Sequence, residues 1–186
     1  ECRRSEIIHK MEENGVHIGL LPIRKENQAD STATLERIRK NGWDCCEVIE
    51  DPEYLFLGSG HPLALTGEIT PQMLAQVPLG TYSHVNDDNW LLFGHYFSGE
   101  AGFRCHSKDA ILQYVAQNRC AAIFPRFTSP YEYFVSQGAV QPVMVHGLDF
   151  GHATFLLVHQ SGKSLLREEQ SVVCALKRYF KDCTCK

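Results

Sequence analysis

An alternating α/β fold is what this sequence predicts, on three observations. A segment with helical apolar spacing runs into a glycine and then a short apolar stretch at residues 5–23, and helix followed by buried strand returns at 107–125. The apolar runs are short and end at Gly, Pro or polar clusters, as buried strands do. With 44% hydrophobic and 22% charged residues over 186 positions, the chain can fill one sizeable core or two small lobes sharing a hinge.

In order, SEIIHKMEENG places Ile7, Ile8 and Met11 at helical spacing and stops at Gly15, a common residue just past a helix end. The run VHIGLLPI, Val16 to Ile23, reads as a buried strand. Residues 24–34, RKENQADSTAT, are polar and loop-like, and LERIRKNG adds only a brief helical turn. WDCCEVIEDPEYLFLGS reads as two strands broken by a turn at Asp51-Pro52, because proline cannot continue a central ladder. GSGHPLA is a turn with a small apolar anchor. Thr70-Pro71 starts a short helix, with Thr70 as N-cap, Pro71 at the first helical position, and Met73, Leu74 and Val77 on the buried side. PLGTYS is the next strand. A strand around FRC, a cap at Ser107, a helix carrying Ile111, Leu112 and Val115, and the buried strand AAIFP follow. A short helix near YEYFVSQG, strands QPVMV and ATFLLVHQ, and a final helix SLLREEQSVVCALKRYF complete the order.

A net charge of -4 argues against a surface built to hold nucleic acid, which needs clustered Lys and Arg. No apolar run approaches the roughly 18 to 20 residues that span a bilayer, so no membrane partner is expected. The cysteines Cys2, Cys45, Cys46, Cys105, Cys120, Cys174, Cys183 and Cys185 lie in apolar or amphipathic runs, where a reduced thiol behaves as a small hydrophobe. Reduced thiols and a cytoplasmic setting are the expectation.

Five phrases in order, EENGVHIGLLPI, YLFLGSGHPLA, ITPQMLAQVPLGTYS, AILQYVAQNRCAAIFP, and FLLVHQ with its C-terminal helix, resemble the effector-binding domain of LysR-type transcriptional regulators. The resemblance covers nearly the whole chain. It implies the two-lobed fold of type 2 periplasmic binding proteins, with a hinge of two crossing strands. Residues 1–60 would form the first part of lobe one, 61–152 lobe two, and 153–186 the return strand and C-terminal helix of lobe one. His61 to Ala64 would mark entry into lobe two, and ATFLLVHQ the return. Three departures from the family's pattern stand out. The family's opening strand, helix and strand are not in this chain, the usual acidic residue of the early strand is His17, and the glycine-rich turn before the later buried strand is Asn118-Arg119-Cys120. The family's helix-turn-helix module is also not here, so DNA contact would come only through such a domain outside this chain.

In open α/β sheets ligands sit beyond the carboxyl ends of strands. That rule selects Pro22 and Ile23, then Tyr82, Ser83 and His84, then Pro125, Arg126 and Phe127. Arg126 would pair with a carboxylate or phosphate, or else is a solvated loop residue. Tyr82 and Ser83 would hydrogen-bond a ligand, or Ser83-His84 simply ends a strand. His106 and Ser107 precede a helix whose N-terminus suits an anion, with Ser107 as a plain N-cap the simpler reading.

No catalytic role is expected. Cys105 and His106 are neighbours on a strand and point to opposite faces, and no GxSxG, HExxH or phosphate-cradling glycine loop occurs. Cys45-Cys46 and Cys183-Thr184-Cys185 lack the gap usual in zinc sites, so no metal or other cofactor is expected. The resemblance therefore implies a domain that binds a small-molecule effector, an anion among the candidates, in the inter-lobe cleft, and that pairs as a homodimer. The alternative is a solute-binding protein of a transport system with the same fold.

Overall fold

The computed structural model describes residues 4–13, 15–25, 27–83, 92–98, 101–126, 132–161 and 165–183. The chain divides into two compact units, residues 1–51 with 152–186, and residues 52–151.

In the first unit, α1 (Arg4–Glu12) leads to β1 (Ile18–Arg24). β1 pairs antiparallel with β7 (His152–Gln160), from Ile18 opposite His159 to Arg24 opposite Ala153, and β7 also neighbours β2 (Trp43–Gly58). One core holds Ile8 and Met11 of α1, Leu21 and Ile23 of β1, Ile38, and Leu156 and Val158 of β7. Gly19 lets α1 approach β1: a Cβ there would stand 2.9 Å from Ile7 Cγ2 and 3.0 Å from Met11 Sδ.

The polar stretch after β1 is not a loop. α2 runs from Gln28 to Lys40, beginning where the Ser31 N–H donates to the Asn27 carbonyl at 3.0 Å. Its inward stripe is Ser31, Thr34, Leu35 and Ile38, a helical i, i+3, i+4, i+7 set. Two members are small polar residues, and the Ser31 hydroxyl donates to the Arg24 carbonyl, so both are buried in place of the apolar residues that periodicity looks for.

The expected break at Asp51-Pro52 is also corrected: β2 is one strand of sixteen residues. Proline is accommodated because the ladder changes partners there. The pairings of β2 with β5 (Ala122–Pro125) and β6 (Val140–Val143) begin at Glu53 and Leu55, and the Glu53 N–H donates to the Gly151 carbonyl at 3.0 Å. No ladder bond in those pairings asks for an N–H at Pro52.

α5 (Arg167–Cys183) ends the first unit, with Glu169, Val173, Leu176 and Phe180 as its inward stripe. His17 is tied to its start: Nδ1 lies 2.6 Å from Glu169 Oε1, while Glu169 Oε2 accepts the Leu166 N–H at 2.8 Å. His17 and that N–H together hold the Glu169 carboxyl below the usual range.

In the second unit, period-two alternation sorts side chains onto two faces. Leu55, Leu57, Leu79, Ala121 and Ile123 face one core with Leu74, Val77, Phe93 and Phe97. Phe56, Ala122 and Phe124 face the other, with Ile111, Leu112 and Val115 of α3 (Lys108–Ala116). Each of those three α3 residues is fully buried, contributing roughly 1.5–3 kcal/mol relative to exposure. The segments after His61 and Thr70 are 3-10 turns, Pro62–Leu65 and Pro71–Gln76. Leu74 and Val77 are buried there, and Met73 is half-buried. A short helix, α4 (Tyr133–Ser136), precedes β6.

Candidate functional site

β3 (Leu79–Tyr82) and β4 (Ala101–Cys105) run parallel, with Thr81 opposite Arg104 and Tyr82 opposite Cys105. A parallel bridge joins Leu79 to Ala121 at the entry to β5. The carboxyl ends of three parallel segments therefore lie on one edge of the second unit, where such sheets present polar groups. Those ends are Tyr82-Ser83, Cys105-His106-Ser107 and Pro125-Arg126.

Gly80 permits this arrangement. A Cβ there would stand 2.8 Å from Cys120 Sγ and 3.2 Å from Ile111 Cγ2. Burial pushes the Cys120 thiol up to about 11, against the lowering effect of the Gly80 backbone, so this sulfur is packing material. The turn into β5 uses Asn118 at φ +60°, the left-handed position that glycine favours and asparagine tolerates at a helix C-terminus. The Asn118 and Arg119 N–H groups donate to Val115 and Tyr114 at 2.9 and 3.1 Å, closing α3. The non-glycine turn noted in the sequence thus adopts the left-handed position at Asn118.

At the edge itself, the Ser83 N–H donates to the Cys105 carbonyl at 2.9 Å, and Ser83 Oγ lies 3.0 Å from His106 Nδ1. Ser107 caps α3, its hydroxyl oxygen accepting the Ala110 N–H at 3.4 Å. Tyr82 packs edge-on against Phe124, centroids 6.2 Å apart. Arg126 is exposed, with its guanidinium carbon 5.8 Å from the centre of the Tyr54 ring. Thr81 Oγ1, buried beside this edge, has no hydrogen-bond partner among the described residues.

Tyr82, Ser83, Pro125 and Arg126 thus share one edge of one unit. Pro22 and Ile23 belong to the other unit. There Pro22 is exposed and its carbonyl accepts from Arg4 Nη1 at 2.9 Å, while the Ile23 side chain lies in the core. His84 and Phe127 lie outside the described residues, as do Cys2 and Cys185. Sequence reading missed Lys108: its ammonium sits 2.6 Å from Glu132 Oε1 and 5.0 Å from the centre of Phe124, with both side chains mostly buried. Twenty-four residues separate the two charges, so no local spacing signals the pair. Neither Lys108 nor Asp109, in the first turn of α3, leaves a simple positive patch. Among the described residues, no group of three or more His, Cys, Asp or Glu side chains could hold a metal ion, and no helix is long and apolar enough to cross a membrane.

The model of the LysR substrate binding domain matches residues 9–181. Among solved structures, the regulatory domain of CcmR from Synechocystis PCC6803, in complex with 2-PG, is similar at 14% identity and TM-score 0.67, covering 97% of this chain and 81% of that one. The OxyR2 E204G regulatory domain from Vibrio vulnificus is similar at 12% identity and TM-score 0.68, over 98% and 78%. The reduced OxyR regulatory domain from Pseudomonas aeruginosa is similar at 11% identity and TM-score 0.67, over 97% and 80%. No curated protein matches the chain in sequence.

Proposed function

The chain belongs to the LysR substrate binding domain family, and from that premise we propose that it is the effector-sensing part of a bacterial transcriptional regulator, responding to a small anion. Its fold is the α/β, two-lobed type 2 periplasmic-binding-protein-like fold of LysR-type regulatory domains. The family match carries the reading, and the strand-end edge of the second unit supports the choice of ligand. There Ser83, His106, the start of α3 and Arg126 supply hydroxyl, imidazole, backbone and guanidinium donors. Tyr82 and Pro125 flank them, and His84 and Phe127 complete the proposed set. The Arg126 guanidinium is the group that discriminates anions from neutral compounds.

The effector acts by differential affinity for two arrangements of the regulator, since a ligand that binds both equally shifts nothing. DNA is reached through a helix-turn-helix domain elsewhere in the regulator, the working form is a homodimer in the cytoplasm, and no reaction is catalysed. These points rest on family membership.

A thermal-shift screen of small carboxylates, amino acids, aromatic acids and phosphorylated acids including 2-PG tests the proposal. A ligand present at a hundred times its Kd adds about 2.7 kcal/mol, or roughly 5–10 °C for a chain of this size. Stabilisation by an anion that is lost in Arg126→Ala and Ser83→Ala is expected. Stabilisation only by neutral compounds, undiminished in both variants, would refute the anion assignment.

A further inference from the structure

The first unit carries a titratable contact that effector sensing at the edge of the second unit does not use. The inward stripe of α5 begins with Glu169 and continues through Val173, Leu176 and Phe180. Val173 and Phe180 are buried, so the first turn has a carboxylate where later turns have apolar anchors. Two other side chains of that turn tie it to itself: Gln170 Nε2 donates to the Leu165 carbonyl and Ser171 Oγ to the Arg167 carbonyl, each at 2.9 Å. Glu169 reaches outward. Its Oε1 lies 2.6 Å from His17 Nδ1, 152 residues away in sequence, while its Oε2 accepts the Leu166 N–H at 2.8 Å and so caps the helix. His17 is in turn fixed to β7, its carbonyl accepting the Gln160 N–H at 3.2 Å.

The other ionisable groups on the surrounding elements have different partners or are exposed. On α1, His9 Nε2 is 3.4 Å from Glu13 Oε1, Glu12 is held by Arg37, and Lys10 is exposed. On β7, His159 Nδ1 is 3.7 Å from Asp44 Oδ2 of β2. Arg167 and Glu168, beside Glu169 on α5, are exposed. His17 is therefore the imidazole that answers to Glu169.

A neutral imidazole gives a carboxylate one ordinary hydrogen bond, whereas a protonated one gives a charge-assisted bond about twice as strong. Imidazoles ordinarily change charge near about pH 6.5. His17 and the Leu166 N–H hold the Glu169 carboxyl below the usual range, so it is an anion on both sides of that pH. The added attraction belongs to the protonated imidazole: it is present in mild acid and is lost as pH rises through the imidazole range.

We propose that His17 and Glu169 form a proton-operated latch, closed by protonation of His17, that sets how firmly the first turn of α5 is held to the start of β1. The latch is a regulatory device of the first unit, built from residues at opposite ends of the chain.

Amide hydrogen exchange of the native chain, read as protection factors at about pH 5.5 and about pH 7.5 on either side of the imidazole range, tests it. The reporter is the Gln170 amide, which donates to the Leu166 carbonyl at 2.9 Å. The His17 and Glu169 side chains are 40% and 23% exposed, so solvent screens the pair, and protection should be about twofold to fivefold higher at the lower pH. His17→Gln, which can still donate a hydrogen bond but takes up no proton, should abolish that rise. Glu169→Gln, which keeps an acceptor for the Leu166 N–H, should abolish it too. His9→Gln and His159→Gln should retain it. Equal protection at the two pH values in the parent chain, a rise that survives in His17→Gln or Glu169→Gln, or a rise lost in His9→Gln or His159→Gln would overturn the proposal.

Discussion

Gly80→Ala should destabilise the second unit through one sulfur atom. The new methyl would sit 2.8 Å from Cys120 Sγ, 3.2 Å from Ile111 Cγ2 and 3.4 Å from the Ala121 carbonyl oxygen. The first distance is about 1 Å inside ordinary contact. Cys120 and Ile111 are at most 1% exposed, so neither moves without disturbing a filled core. Overpacking of this kind costs typically 1–3 kcal/mol, which at about 2–4 °C per kcal/mol lowers the thermal midpoint by roughly 2–12 °C. Cys120→Ala alone removes one buried sulfur and costs about 1–2 kcal/mol. It also clears the space that the Gly80→Ala methyl needs, so the double variant should be less unstable than the sum of the singles by about 1 kcal/mol or more. Urea unfolding of the four proteins, followed by tryptophan fluorescence and circular dichroism, measures the cycle. Additive effects within about 0.3 kcal/mol, or a Gly80→Ala protein as stable as the parent, would refute the close approach of β3 to Cys120.

Three further outcomes follow from single contacts. Glu12 receives Arg37 Nε and Nη2 at 2.7 and 2.5 Å, and these bonds hold its carboxyl below the usual 4.5. The unfolded chain therefore takes up that proton at higher pH than the folded one. The contribution is complete above about pH 4.5 and is lost as pH falls through the lowered value, so Glu12→Gln should lower stability at neutral pH, leave it little changed in strong acid, and thereby flatten the acid limb of a stability–pH curve. Lys108 and Glu132 are only 14% and 17% exposed; Lys108→Met should cost about 1–3 kcal/mol in urea unfolding by leaving a carboxylate unpaired, and adding Glu132→Gln should recover part of the loss. Asn118 holds φ +60°, so Asn118→Gly should be neutral or slightly stabilising, while Asn118→Val should cost about 1–2 kcal/mol.

Legibility in the sequence followed the physics of each element. Apolar runs closed by Gly or Pro marked β1, β3, β5 and β7, and Ser107 with the Ile111, Leu112 and Val115 spacing marked α3, because burial alone determines those signals. α2 was hidden because Ser31 and Thr34 occupy buried positions, with the Ser31 hydroxyl satisfied by the Arg24 carbonyl, which hydropathy cannot register. The continuity of β2 was hidden because a proline is harmless only where a ladder changes partners, a tertiary fact. At the candidate site, Ser83 was selected by the strand-end rule, and His106 and Ser107 by their place before a helix. Lys108 with Glu132 and the unpartnered Thr81 hydroxyl were not, since both depend on packing between distant segments.

Amide chemical-shift mapping with the strongest stabiliser from the anion screen tests the central claim most directly, because it locates the ligand as well as detecting it. The largest changes are expected at Ser83, at His106 to Ala110 around the start of α3, and at Arg126, and they should disappear in Arg126→Ala. Changes confined to residues away from that edge, or the same pattern undiminished in Arg126→Ala, would contradict an anion-sensing site at the strand ends of the second unit.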